Sequence, residues 1–335
     1  MRGYFYLNFF LNKNIKILFN RFLGPLIFIV LSYSLYRQIM KQPDLPHRWE
    51  QIKLGFLTPG FFLVLLLMLV NWGIEARKWQ LLAAPLEKLS FVNAYKSVLA
   101  GCSITMLTPN RVGEYGGRIL YLKEEHRLDA IPLTILGSIS QLFITLLMGI
   151  AGLLSFNFYH PGEKIFKFLP SYTSEVLLYL SIGAAVFLLL LYFRAGLIVR
   201  LLQRIKLLQK FVSHIILLNS FSRKQLLRIL FLSFLRYVVF ILQYVLLLHV
   251  MQVSISFFVC CRLLTVFYLL MAMAPTIGFT ELPFRAAAAL EIFQLYSDNL
   301  IGIQAASLAI WIINLVVPAI TGSVLILGIK IMKDK

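Results

Sequence analysis

Charge is scarce in this 335-residue chain: 14% of residues are charged and 60% are hydrophobic. A soluble domain of that length needs more polar surface, and several apolar runs here approach the roughly 20 residues that span a bilayer. Acidic residues are scarcer still, 14 against 32 lysines and arginines, for a net charge of +18. The bases fall in short loops and at helix ends, as in cytoplasmic loops beside anionic lipid. No basic soluble stretch is long enough for a nucleic-acid-binding domain, so nucleic acid is not an expected partner. Three cysteines, Cys102, Cys260 and Cys261, sit in apolar context without metal-ligand spacing and read as small buried hydrophobes. HExxH, GxSxG, a Walker loop and carboxylate-rich metal motifs are all missing. No metal or cofactor is expected, and an enzyme is the less favoured class.

What remains is apolar and continuous, which excludes the short alternating strands of a barrel. The fold class is all-α, a polytopic transmembrane helical bundle. Spanning helices are expected at about 22–39, 56–74, 131–156, 175–193, 229–251 and 301–329. The first is read as retained, because no A-x-A-like cleavage site follows it. Two further runs, 91–107 and 256–274, lead directly into polar stretches broken by proline and glycine. These are "TPNRVGEYGGR" (Thr108 to Arg118) and "APTIGFTELPFR" (Ala274 to Arg285).

The segment 194–228 carries Arg194, Arg200, Arg204, Lys206, Lys210, Arg223, Lys224 and Arg228 with no acid, and is the best cytoplasmic loop in the chain. A cytoplasmic N-terminus and a cytoplasmic 194–228 agree if 91–118 dips in and returns. Treating 256–285 the same way, from the other side, brings Lys330, Lys333 and Lys335 to the cytoplasm as well. One extra or missing helix elsewhere repairs the count equally. With two re-entrant hairpins, the chain is a single domain, 1–335, with a possible inverted repeat of units 56–156 and 229–329. Paired interrupted segments of this kind point to a binding site near the midplane.

The two breaks read alike. One has Pro109, Gly113, Glu114 and Arg118, and the other Pro275, Gly278, Glu281 and Arg285. The prolines, with Gly113, Gly116, Gly117 and Gly278, are expected to open the backbone, which membrane depth tolerates only against protein or a watery cavity. Each Glu and Arg, spaced i,i+4, shares a helix face if helix resumes there. Arg111, Arg118 and Arg285 suit a phosphate, and Glu114 and Glu281 an amine. Each Glu–Arg pair can equally neutralise itself or sit in an ordinary headgroup-level loop. Elsewhere, Arg236 and Arg262 are read as snorkelling to headgroups, and Trp72 and Trp79 as interfacial anchors. Asn71 and Glu75 are candidates for a cavity wall, with Glu75 taken to mark a helix end. His126, in "LKEEHRLD", belongs to a charged stretch expected along the membrane surface.

"NWGIEARKWQLL", "TPNRVGEYGGR" and the late "APTIGFTELPFR" together resemble the lysylphosphatidylglycerol synthase transmembrane region, a flippase-like integral membrane family, over roughly residues 20–330. The resemblance implies a multi-helix domain of a bacterial cytoplasmic membrane that moves a modified phospholipid or glycolipid between leaflets. Membrane lipids with anionic or amine-bearing headgroups are then the expected partners. The aminoacyl-transferase domain of the fused synthases is not in this sequence, so synthase activity is not carried over. A separate lipid-modifying enzyme is a further expected partner. The alternatives are a membrane enzyme, an accessory to such a transferase, or a scaffold.

Overall fold

The structure, a computed structural model, describes residues 33, 45–106, 113–166, 170, 172–194, 214–273 and 281–327. Among them there is no strand, and five helical runs are long and apolar enough to cross a membrane: Pro59–Ala83, Glu124–Tyr159, Thr173–Phe193, Arg223–Val250 and Leu300–Leu327. These answer five of the six expected spans. The expected helix 22–39 lies largely outside the described residues, as do Pro109, Arg111, Pro275, Gly278 and most of the basic segment 194–228.

A short helix α1 (Leu45–Gly55) precedes α2 (Pro59–Ala83). The start of α2 is written locally: the Thr58 hydroxyl accepts from the Phe61 amide, and Pro59 occupies a first-turn position where no amide is needed. The chain turns into α3 (Phe91–Met106) and returns through α4 (Gly113–Ile119). Next come α5 (Arg127–Tyr159) and α6 (Thr173–Phe193). A Ser222/Gln225 capping box opens α7 (Arg223–Val250). The second half continues with α8 (Phe257–Met273), α9 (Glu281–Phe293) and α10 (Leu300–Trp311). A π-helical turn, Ile312–Val316, joins α10 to α11 (Val317–Leu327).

α3 and α4 form an antiparallel hairpin: the Ser97 hydroxyl donates to the Arg118 carbonyl at 2.6 Å, and Gly101 lies against Glu114. With a rise of about 1.5 Å per residue, neither seven-residue α4 nor 13-residue α9 approaches the ~30 Å of a hydrocarbon core. α9 packs on α8, with the Arg285 guanidinium 5.7 Å from the Phe267 ring centre.

Two contacts organise the bundle. α2 and α7 run antiparallel down its centre, joined by Gln243 donating to the Val64 carbonyl at 2.9 Å and by Asn71 pairing with Arg236. Around that axis the packing is reciprocal. α3 lies on α11, where Gly322 meets the Leu99 carbonyl, and α8 lies on α5, where Gly149 and Gly152 meet Leu269 and Thr265. Cys102 and Cys260 are buried and Cys261 is half-buried, as small hydrophobes in apolar surroundings are expected to be. The "LKEEHRLD" stretch contributes a single 3-10 turn, Glu124–His126, that leads into α5.

Candidate functional site

The interior of the bundle is not uniformly apolar. In α2 the residues Asn71, Glu75 and Lys78 follow an i, i+4, i+7 spacing and share one face, which points at α7 and α4. From α7 come Ser233 and Arg236, and from α4 comes Arg118. Glu75 Oε1 lies 2.7 Å from an Arg118 terminal nitrogen; its Oε2 lies 2.8 Å from Lys78 Nζ and 2.9 Å from Arg236. Glu114 closes the cluster by pairing with Arg118 from the preceding turn of α4.

One carboxylate thus collects three cations from three helices. The side chains of Glu75, Lys78 and Arg118 are each at most 2% exposed. Arg236 stands in the middle of the 28-residue α7, and a lone ionisable group at the centre of a spanning helix costs roughly 2.5–3.5 kcal/mol on insertion scales. Burial of this kind persists only with close partners, and hydrogen bonds supply more of them. Asn71 Oδ1 accepts from Arg236 Nε at 3.0 Å, and Lys78 reaches the Ser233 hydroxyl and the Gly137 carbonyl at 3.4 and 3.5 Å. Ser140 and Ser233 share a bond at 2.8 Å. Trp79 lies 5.6 Å from the Arg118 guanidinium, and Trp72 and Phe240 flank Arg236 at 5.0 and 5.3 Å.

Several expectations are corrected by this geometry. Glu75 does not mark a helix end: α2 runs about two more turns, because Arg77 points outward to Gln80 while Lys78 turns in to Glu75. Arg236 does not snorkel, since Glu75 and Asn71 hold it in the interior. Trp72 and Trp79 are buried rather than interfacial, covering the two guanidiniums. Gly113, Gly116 and Gly117 do not open the backbone; all three are helical. Gly117 instead permits contact, since a Cβ there would stand 2.3 Å from the Ala100 carbonyl oxygen.

Of the expected site residues, Glu114 and Arg118 join this cluster, while Glu281 and Arg285 pair with each other at 3.1 Å. Among the described residues no ion pair or hydrogen bond links the two sets. Arg285 sits against the aromatic group Tyr244, Phe267 and Phe293. A neutral polar pair lies further along the central seam. Asn314, in the π-helical turn, donates to Gln243 Oε1 at 2.9 Å, while Gln243 donates to Val64. Gln243→Leu is expected to cost about 1–3 kcal/mol, because it removes both bonds and leaves Asn314 Nδ2 with the Ile310 carbonyl at 3.1 Å alone. Thermal unfolding in detergent checks this, and the Gln243→Leu/Asn314→Leu double variant should cost less than the sum of the singles.

The fold and this interior define a class, polytopic helical membrane proteins with a buried charge cluster at the hub of the bundle. The family profile of the lysylphosphatidylglycerol synthase TM region matches residues 21–289. The chain belongs to that family. No match was found among curated proteins or among solved structures.

Proposed function

We propose that this protein translocates an anionic or amine-bearing lipid headgroup between the leaflets of a bacterial cytoplasmic membrane, with its termini on the cytoplasmic side. One observation carries the reading: in their ordinary ionised forms Lys78, Arg118 and Arg236 bring three positive charges to the two negative charges of Glu75 and Glu114. A phosphate arriving at Arg118 takes the place of Glu114, so one charge-assisted pair replaces another and no new bare charge is buried. Glu114 is the more exposed carboxylate, 20% against 2% for Glu75, and is the one free to leave. It then faces any amine on the same headgroup. The reciprocal packing of α3 on α11 and of α8 on α5, about the antiparallel α2–α7 pair, supports two inverted units. In that arrangement Glu281 and Arg285 are the counterpart of Glu114 and Arg118 for the opposite leaflet.

The test is leaflet exchange of fluorescent phosphatidylglycerol and of an aminoacylated analogue in liposomes. Arg118→Ala is expected to slow exchange by about a hundredfold, the loss of a paired, desolvated charge at the point of transit. Arg118→Lys should recover part of it, because lysine keeps the charge without the planar fork. Exchange equal to wild type in folded Arg118→Ala and Glu114→Gln proteins rejects the site. A chemically altered lipid after incubation points instead to a membrane enzyme.

A further inference from the structure

A second polar feature lies on the outside of the bundle, away from the Glu75 cluster. α5 and α8 touch where Gly152 and Gly149 meet Thr265 and Leu269. Beside that contact is a groove of about 440 Å³, lined by Met148, Ser155, Tyr159, Phe258, Arg262 and Thr265 among others. It is open to the surroundings, and α5 and α8 also expose Leu147, Leu154 and Phe257. Phe158, Tyr159, Phe257 and Phe258 are all exposed at one end of it, where α5 stops at Tyr159, a residue type favoured at a membrane–water boundary. Arg262 stacks 4.4 Å from the Tyr159 ring centre, and no carboxylate among the described residues pairs with it. The nearby Glu163 is engaged by His160 at 3.3 Å.

The groove is thus polar and cationic towards Tyr159 and Arg262 and apolar towards Met148. That gradient matches one phospholipid oriented as it lies in a leaflet. A soluble anion would gain nothing from the Met148 wall, and a zwitterionic lipid would leave its own cation beside Arg262. We propose that the α5–α8 groove binds one anionic phospholipid, its phosphate on Arg262 and the Ser155 hydroxyl and one acyl chain along Met148 and Gly152. The site is separate from the transit path and holds a lipid in place rather than passing it on.

The experiment is retention. The full chain is purified from mixed micelles of phosphatidylglycerol and phosphatidylcholine in equal amounts, and bound lipid is identified by native mass spectrometry. Wild type is expected to retain one phosphatidylglycerol, preferred over phosphatidylcholine about tenfold, the scale of one charge-assisted contact. Arg262→Gln should bring the ratio close to one, and Arg262→Lys should keep most of the preference. A benzophenone side chain at Phe258 should crosslink labelled phosphatidylglycerol in wild type and not in Ser155→Leu, which fills the groove without touching the charge. Equal retention of both lipids by wild type, or an unchanged ratio in Arg262→Gln, overturns the assignment. Retention is read without leaflet exchange, so failure here leaves the exchange result standing.

Discussion

Glu75→Gln is expected to lower stability by about 3–5 kcal/mol, the cost of leaving buried charges without their partner. Three features put it at the upper end. The carboxylate serves three cations at 2.7–2.9 Å, so its loss strands Lys78 and Arg236 together and leaves Arg118 with Glu114 alone. The cations come from α2, α4 and α7, so the substitution loosens the central seam and the first hairpin at once. Glutamine also brings two N–H donors towards groups that are themselves donors. Denaturation in mixed detergent, followed by circular dichroism, measures the change. Adding Lys78→Met to Glu75→Gln should restore part of the loss, because one stranded charge disappears with its partner. A Glu75→Gln protein as stable as wild type would mean that water reaches these cations. The cluster would then not be the hub described above.

Gly117→Val is the second large effect. A Cβ at this position stands 2.3 Å from the Ala100 carbonyl oxygen and 2.5 Å from Gly101 Cα, and backbone atoms cannot turn aside as a side chain can. The hairpin must part, and Arg118, the next residue, moves off Glu75. Overpacking in cores costs typically 1–3 kcal/mol, and the displaced ion pair adds to that. The expected result is a protein several kcal/mol less stable whose lipid exchange falls as far as that of Arg118→Ala. Gly116→Ala is the matching control. It lies one position away, and a Cβ added there meets nothing within 4 Å, so it should be neutral or gain roughly 0.5–1 kcal/mol from helix propensity. If Gly116→Ala abolishes exchange, these glycines act by opening the backbone after all.

The helical membrane character and five of the spans were legible because hydropathy over twenty residues is a strong, local signal. The pairing of Glu114 with Arg118, and of Glu281 with Arg285, was legible too, since i,i+4 spacing acts within one helix. Glu75 was not. Read linearly, "IEARK" ends an apolar run, and Arg77 beside Lys78 makes the stretch look like a boundary. The informative pattern was angular: Asn71, Glu75 and Lys78 fall on one face, with Trp72 and Trp79 seven apart beside them. In α7, Ser233, Arg236, Phe240 and Gln243 repeat that stripe. A polar stripe in each of two spans is a reason to expect that they face each other. Which arginine meets which carboxylate is a tertiary matter and had no sequence signal.

The three-to-two balance at the hub has an electrical consequence. On the proposed reading, with these five described groups ionised, the cluster carries a charge of +1 between spanning helices, where the transmembrane field acts. Moving one elementary charge through the whole field is worth about 2.3 kcal/mol per 100 mV, and a displacement over part of the depth is worth a proportionate share. A monoanionic headgroup bound as proposed would cancel that charge, so the loaded hub would be electrically silent while the empty one would not. Any rearrangement that returns the empty hub to its starting position would then be the voltage-sensitive half of the cycle. Each full cycle would move the lipid's own negative charge, so membrane potential would bias exchange with no second ion.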